Sequence, residues 1–273
     1  MQFEGNIRKM STGLEEGMAQ YTLPLFDILQ PADRLDMNSL IGKELQLEFG
    51  GQINCVATGA AIKKTFGEGL SYKAFMDSPL ATPSIIRPEL SRIHEGIALR
   101  DEAWEREHHL TPHVTYLSLT SEIKVGVTRL SNVPSRWVDQ GAEEAVILAE
   151  VPYRQAAGLI EVALKEYLSD KTNWRNMLRN IKTGDVDLLA KKAEMGRFFP
   201  AEFRQFWAAD AELVQIKYPV ERYPVNVKSI KLDKFPSIQK KLSGIKGQYL
   251  IFSDDTVMNI RSHAGYRVTI TSE

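Results

Sequence analysis

Residues 116–141 read YLSLTSEIKVGVTRLSNVPSRWVDQG. Leu117, Leu119, Ile123, Val125 and Val127 alternate with polar residues across a Thr-Ser-Glu turn, which predicts two short antiparallel strands. With Leu119 set opposite Ile123, Tyr116 faces Gly126 and lies diagonal to Lys124 and Thr128. The apolar set is then core, and the other face gathers Tyr116, Ser118, Lys124, Gly126 and Thr128, with a glycine that permits close backbone approach. A phenol ionises near pKa ~10, and a nearby cation lowers that value. Lys124 is placed to supply the cation. Pro134 opens and Gly141 closes a short helix that carries Arg136 and Trp137 in its first turn.

Beyond this stretch follow a strand, AVILAEV, and a helix from about residue 154 to 168, so the order is strand, strand, helix, strand, helix. Upstream, QYTLPLF, KELQLEFGG and QINCVATG make residues 1 to about 56 β-rich, and Pro79, Pro83 and Pro88 punctuate a weakly patterned segment up to Pro112. Downstream, TNWRNMLRNI and DVDLLAKKAEMG read as helical. LVQIKYPV, VNVKSIKL, GQYLIF, TVMNIRS and YRVTITS then read as strands of a small barrel or sandwich. The fold class is α+β, divided into a β-rich region 1–112, a ββαβα unit 113–182, and a helical connector with a β-rich module 183–273. The β-rich ends form either two modules or one module interrupted by the central unit.

The chain of 273 residues, 43% hydrophobic and 25% charged, has the composition of an ordinary folded protein and the length for two or three compact units. A net charge of -1 argues against indiscriminate DNA coating and leaves nucleic-acid binding to a local basic patch. The N-terminus lacks a signal-peptide core and no apolar run reaches membrane-spanning length, so the expectation is a cytoplasmic protein with no membrane partner. One cysteine, Cys55, excludes an intrachain disulfide and a thiolate zinc cluster, so zinc is not expected. His94-Glu95 begins an HExxH pattern, but Ala98 replaces the second histidine, and Pro112 keeps His109 and His113 off a common helix face.

The ordered constellation resembles the GIY-YIG nuclease superfamily over roughly residues 114–182. VTY carries the first motif tyrosine as Tyr116, and KVG places Lys124 where the second tyrosine stands. Arg136 in SRW matches the helix arginine, and Glu161 in AGLIEVALKEYL matches the glutamate that binds the catalytic metal. The resemblance implies phosphodiester cleavage by Tyr116, Lys124, Arg136 and Glu161, with Mg²⁺ or Mn²⁺ held at Glu161. It also implies a nucleic-acid partner, DNA or RNA. Over most of the chain KVGVTR, RWVDQGA, DKTNWRNML, GIKGQYLIF and NIRSHAGY resemble the bacterial domain of unknown function family 2797, which implies a cysteine-rich, finger-like segment upstream. Here Thr58, Ser71, Ala74 and Ser91 stand near the expected cysteines.

Blander readings stand beside these. Glu161 and Lys165 also fit a helix-surface ion pair, Arg136 a surface arginine, and Trp174 an anchor for the helix that carries Arg175. Candidate nucleic-acid contacts are Gly126, Thr128, Arg175 and, from a run of C-terminal lysines opposed nearby by Asp233 alone, Lys240, Lys241 and Lys246. The chain is read as a metal-dependent nuclease or, alternatively, as an inactive nucleic-acid-binding module or a partner-binding scaffold.

Overall fold

The computed structural model describes residues 1–168, 173–182, 184 and 186–272. The N-terminal strands are β1 (Gln2–Ile7), β2 (Ser11–Glu15), β3 (Met18–Asp27), β4 (Gln30–Asp36) and β5 (Glu44–Ile53). An irregular stretch holding helices α1 (Tyr72–Asp77) and α2 (Glu102–His109) leads to β6 (His113–Leu119), β7 (Ile123–Arg129), α3 (Ser135–Gln140), β8 (Glu144–Val151) and α4 (Arg154–Lys165). Then come α5 (Trp174–Leu178), α6 (Leu188–Met195), β9 (Val214–Gln215), β10 (Lys228–Ser229), β11 (Ser237–Lys246), β12 (Tyr249–Phe252), β13 (Thr256–Asn259) and β14 (Tyr266–Ser272).

The division at 112 and 183 separates strands that the fold pairs. Among the described residues a ten-stranded sheet runs β10-β13-β12-β11-β5-β14-β1-β3-β2, with β4 against β3. Gln2 stands opposite Thr271 and Lys240 opposite Leu45, so strands from the two chain ends form one module around the central unit. Inward residues of these strands, including Leu23, Leu25, Leu45, Leu47, Ile238, Leu242, Val268 and Ile270, join one buried cluster. Burial of such side chains stabilises by roughly 25 cal/mol per Å² of apolar surface. LVQIKYPV and VNVKSIKL contribute only the two-residue strands β9 and β10. β11, which alternation does not reveal, lies inside the sheet between β12 and β5.

The second sheet has the order β7-β6-β8-β9. Its hairpin register matches expectation, with Tyr116 opposite Gly126 and Leu119 opposite Ile123. Every residue of β6 is buried, so the alternation marks two cores instead of a core and a wet face. Leu117 and Val125 pack with Ala157, Ile160 and Leu164 of α4. Val114 and Tyr116 pack on the other side with Trp137 of α3 and the large sheet's core. No helix among the described residues is long and apolar enough to cross a membrane.

Candidate functional site

Strand β7 forms the edge of its sheet, and α3 and α4 pack on opposite faces beside it. The groups that project around this edge open onto a cavity of about 540 Å³. Tyr116, Lys124, Gly126, Thr128 and Arg129 of the hairpin line it together with Arg136 and Gln140 of α3 and Arg154 and Glu161 of α4. Its outer wall comes from the irregular stretch and α2, through Leu80, Ile85, Ile86, Pro88, Trp104, His108 and His109. That wall comes close because α4 carries Gly158, where a Cβ would lie 2.3 Å from the Glu89 backbone nitrogen.

Tyr116 is fully buried, with its ring against Gly126, where a Cβ would sit 2.8 Å from both Cζ and Oη. The glycine therefore gives room to the tyrosine side chain. The Trp137 ring stands edge-on at 5.9 Å. Burial pushes the Tyr116 phenol above its usual range, and the charge and hydrogen bonding of Arg136 oppose that push without reversing it. The expectation that Lys124 ionises Tyr116 is thus corrected. The phenol is neutral, and the cation acting on it is Arg136.

Gln140 joins the two. Tyr116 Oη lies 3.2 Å from its amide oxygen, and in the amide orientation that satisfies both sides its carbonyl accepts from Arg136 Nε at 3.1 Å and Nη2 at 3.2 Å. Arg136 and Gln140 are one helical turn apart on α3, which explains why the guanidinium is held in a fixed pose.

Glu161 faces this group from α4. Burial raises its carboxyl above the usual carboxylate range, Glu89 adds to the rise, and Lys165, Arg154 and Arg136 oppose it. Arg154 donates Nε to the Ser84 carbonyl at 2.9 Å and Nη2 to the Ile85 carbonyl at 3.0 Å. Burial brings it down to about 10 against the pull of Glu161, and repulsion from Arg136 and Arg129 acts in the same direction. Three guanidiniums therefore share one neighbourhood with Glu161, and a bound anion would relieve their mutual repulsion. Burial holds His109 down to about 3 and His113 to about 4, so neither adds charge at neutral pH.

Sequence reasoning placed Tyr116, Lys124, Gly126, Thr128, Arg136 and Glu161, and all six line the cavity. It missed Arg129, Arg154 and Gln140. The Arg136–Gln140 spacing of one helical turn was the available signal for Gln140. For Arg129 and Arg154 there was none, because their meeting depends on how α4 and the irregular stretch close over the edge strand.

The other candidates lie apart. Arg175 covers the ring of Trp174 at 4.4 Å, and Trp174 stacks on Tyr249 at 5.5 Å, outside the cavity. Lys240 pairs with Asp254, and Lys241 lies 3.6 Å from Glu221, so the lysine run is opposed by acids distant in sequence. Lys246 is not a surface contact. It is fully buried, with Nζ 2.7 Å from Glu143 and 2.8 Å from the Asn180 side-chain oxygen. The rings of Tyr218 and Tyr223 also face its ammonium, at 5.1 and 5.4 Å, which a count of local charge could not anticipate.

No three His, Cys, Asp or Glu side chains gather to hold a metal among the described residues. Glu161 alone suits a hard cation that keeps most of its waters and shares the rest of its shell with ligand oxygens. Cys55 is buried and its sulfur accepts from the Ser71 amide at 3.2 Å. Burial pushes this thiol up, but hydrogen bonds from the Thr58 side chain and from the Ser71, Ala57 and Thr58 backbone outweigh it and bring it to about 7.

The sequence profile of the family described as "Protein of unknown function (DUF2797)" matches residues 42–268. The chain belongs to this family. The DUF2797 match takes in β5, the whole central unit, both walls of the cavity and β11 to β13. No curated protein and no solved structure matches the chain.

Proposed function

We propose that the cavity binds a phosphodiester of a nucleic acid and that the protein is a metal-dependent phosphodiesterase of GIY-YIG type. The observation that carries this reading is the convergence of Arg129, Arg136 and Arg154 on Glu161 and Tyr116 in one cavity. Guanidiniums recognise phosphate oxygens through parallel N–H donors, and a preset cluster favours the extra charge of a phosphoryl transition state. Arg136, aimed by Gln140, steadies the scissile phosphate. Arg129 and Arg154 accept the flanking charge. The neutral Tyr116 can donate its proton in a hydrogen bond, so it orients and does not begin as the base. Mg²⁺ or Mn²⁺ at Glu161 would supply Lewis-acid stabilisation of the reacting oxygens.

A second reading, binding without cleavage, is favoured by two features. The phenol is sealed and neutral, and Lys124 stands in place of a second tyrosine. Labelled single-stranded, duplex and branched DNA, and RNA, incubated with Mg²⁺ or Mn²⁺ separate the two. Cleavage supports the enzyme. Absence of cleavage with salt-dependent binding supports the module, because phosphate contacts weaken as salt rises. Neither activity on any substrate removes the nucleic-acid reading.

Lys124→Met keeps length and removes a charge that lines the cavity and can contact the phosphate. In the enzyme cleavage is expected to fall at least about tenfold, or about 1.4 kcal/mol. Unchanged cleavage would make Lys124 only a strand residue at the cavity's edge.

A further inference from the structure

We propose that Trp104 and His108 form a stacking shelf for an unpaired base next to the phosphate that the arginines hold, so that the preferred ligand is a single-stranded segment. This rests on the nucleic-acid reading above and deepens it.

Both rings belong to α2, outside the ββαβα unit, yet both line the same cavity as Arg129, Arg136 and Arg154. They stack on each other with centroids 4.2 Å apart and planes 9° from parallel. Trp104 is half-buried and belongs to none of the three apolar clusters among the described residues, so it does not serve as core filler. The shelf is held in advance of any ligand. Asp101 caps the helix by accepting from the Trp104 amide at 2.9 Å. The fully buried Glu105 accepts from the backbone amides of Leu99, Arg100 and Asp101 at 3.0, 2.8 and 3.3 Å. The His109 ring meets Trp104 edge-on at 5.2 Å and is itself steadied by Ser91 at 3.1 Å.

The cavity therefore joins the arginines of the hairpin, α3 and α4, with the carboxylates Glu161, Asp139 and Glu68, to the aromatic and apolar side chains of α2 and the irregular stretch, among them the exposed Ile86. A nucleotide has the same two-sided character, charge at the phosphate and a flat face at the base. Stacking on an aromatic side chain is tolerant of sequence because every base has a π-face. A base paired within a duplex cannot reach such a shelf without leaving its stack, which favours single strands, loops and ends.

The test compares a fluorescent single-stranded oligothymidylate with an abasic strand of the same length and phosphate count, using wild type, Trp104→Ala and Trp104→Phe in the full chain. Wild type is expected to bind the base-bearing strand more tightly. Trp104→Ala should weaken that binding at least about tenfold and leave the abasic strand within about twofold, while Trp104→Phe keeps most of the affinity. Equal loss on both strands would make Trp104 a structural support and overturn the shelf. Equal wild-type affinity for both strands, unchanged by Trp104→Ala, would also overturn it and leave the phosphate site standing. Binding of neither strand by wild type would overturn the nucleic-acid reading itself.

Discussion

Glu161→Gln is expected to lower metal-dependent cleavage at least about a thousandfold, or about 4 kcal/mol of transition-state stabilisation, while the melting temperature moves by only about 3 °C or less. The amide keeps the size and hydrogen-bonding reach of the carboxyl, so the packing of α4 on the hairpin is preserved. What disappears is the negative charge that would hold Mg²⁺ or Mn²⁺. Burial already disfavours that charge, and Lys165, Arg154 and Arg136 oppose the effect of burial. Metal-free binding should respond in the opposite sense. With chelator present, the variant should bind a phosphate strand a few-fold more tightly, because a carboxylate opposing the arginine cluster is gone. Initial rates under saturating substrate and anisotropy in chelator read the two effects separately. Cleavage that survives Glu161→Gln would show that the reaction runs elsewhere, even though the activity stood. Weaker metal-free binding would show that phosphate does not sit beside Glu161.

The largest effect on stability is expected at Glu143. Its Oε1 lies 2.7 Å from Nζ of the fully buried Lys246, and its Oε2 lies 2.7 Å from Nζ of the partly exposed Lys182. Glu143→Gln leaves an ammonium sealed in the interior beside the Asn180 oxygen and the rings of Tyr218 and Tyr223, with the charge of Lys182 repelling it. Breaking such a pair from one side costs about 3–5 kcal/mol, mostly from the desolvated charge left behind. Adding Lys246→Met should recover much of the loss, since the pair is then replaced by an apolar side chain of similar length. Urea unfolding of the single and double variants checks both statements. A single-variant loss below about 1 kcal/mol would mean that water reaches Lys246 and that the pair is not a buried one. The position matters because Glu143 also ties β6 to β9 through its backbone, accepting from Ile216 and donating to Leu119 at 2.8 Å each. The same residue therefore joins the central unit to the large sheet.

Alternation and turn chemistry were enough to place the hairpin, its register, the helix after Pro134, strand β8 and the start of α4, because each is set by neighbours a few residues apart. The residue types at the cavity's inner side were legible for the same reason. Tyr116 and Gly126 are adjacent across the hairpin, and Arg136 follows on the next helix. Periodicity reports that two faces differ and not which of them meets water, and both faces of β6 are buried. That one difference reverses the chemistry of Tyr116, since desolvation then outweighs any nearby cation.

The remaining features depend on contacts between distant parts of the chain. Strand β11 is rich in Lys and Ser, and its own pattern is weak. It joins the sheet because β5 pairs with its first half, Ser237 to Lys241, and β12 with its second, Leu242 to Lys246. The pairing of Gln2 with Thr271, which makes one module of the two chain ends, leaves no local trace. Lys246 sits in a lysine run yet is sealed against Glu143, more than a hundred residues away in sequence. Arg154 meets Arg129, Arg136 and Glu161 only because a proline-punctuated stretch some seventy residues upstream offers the Ser84 and Ile85 carbonyls and closes over Gly158. Local sequence set the elements and the side chains they carry. Burial and charge at those side chains were set by what the fold brought against them, because desolvation and Coulomb terms depend on distance in space and not along the chain.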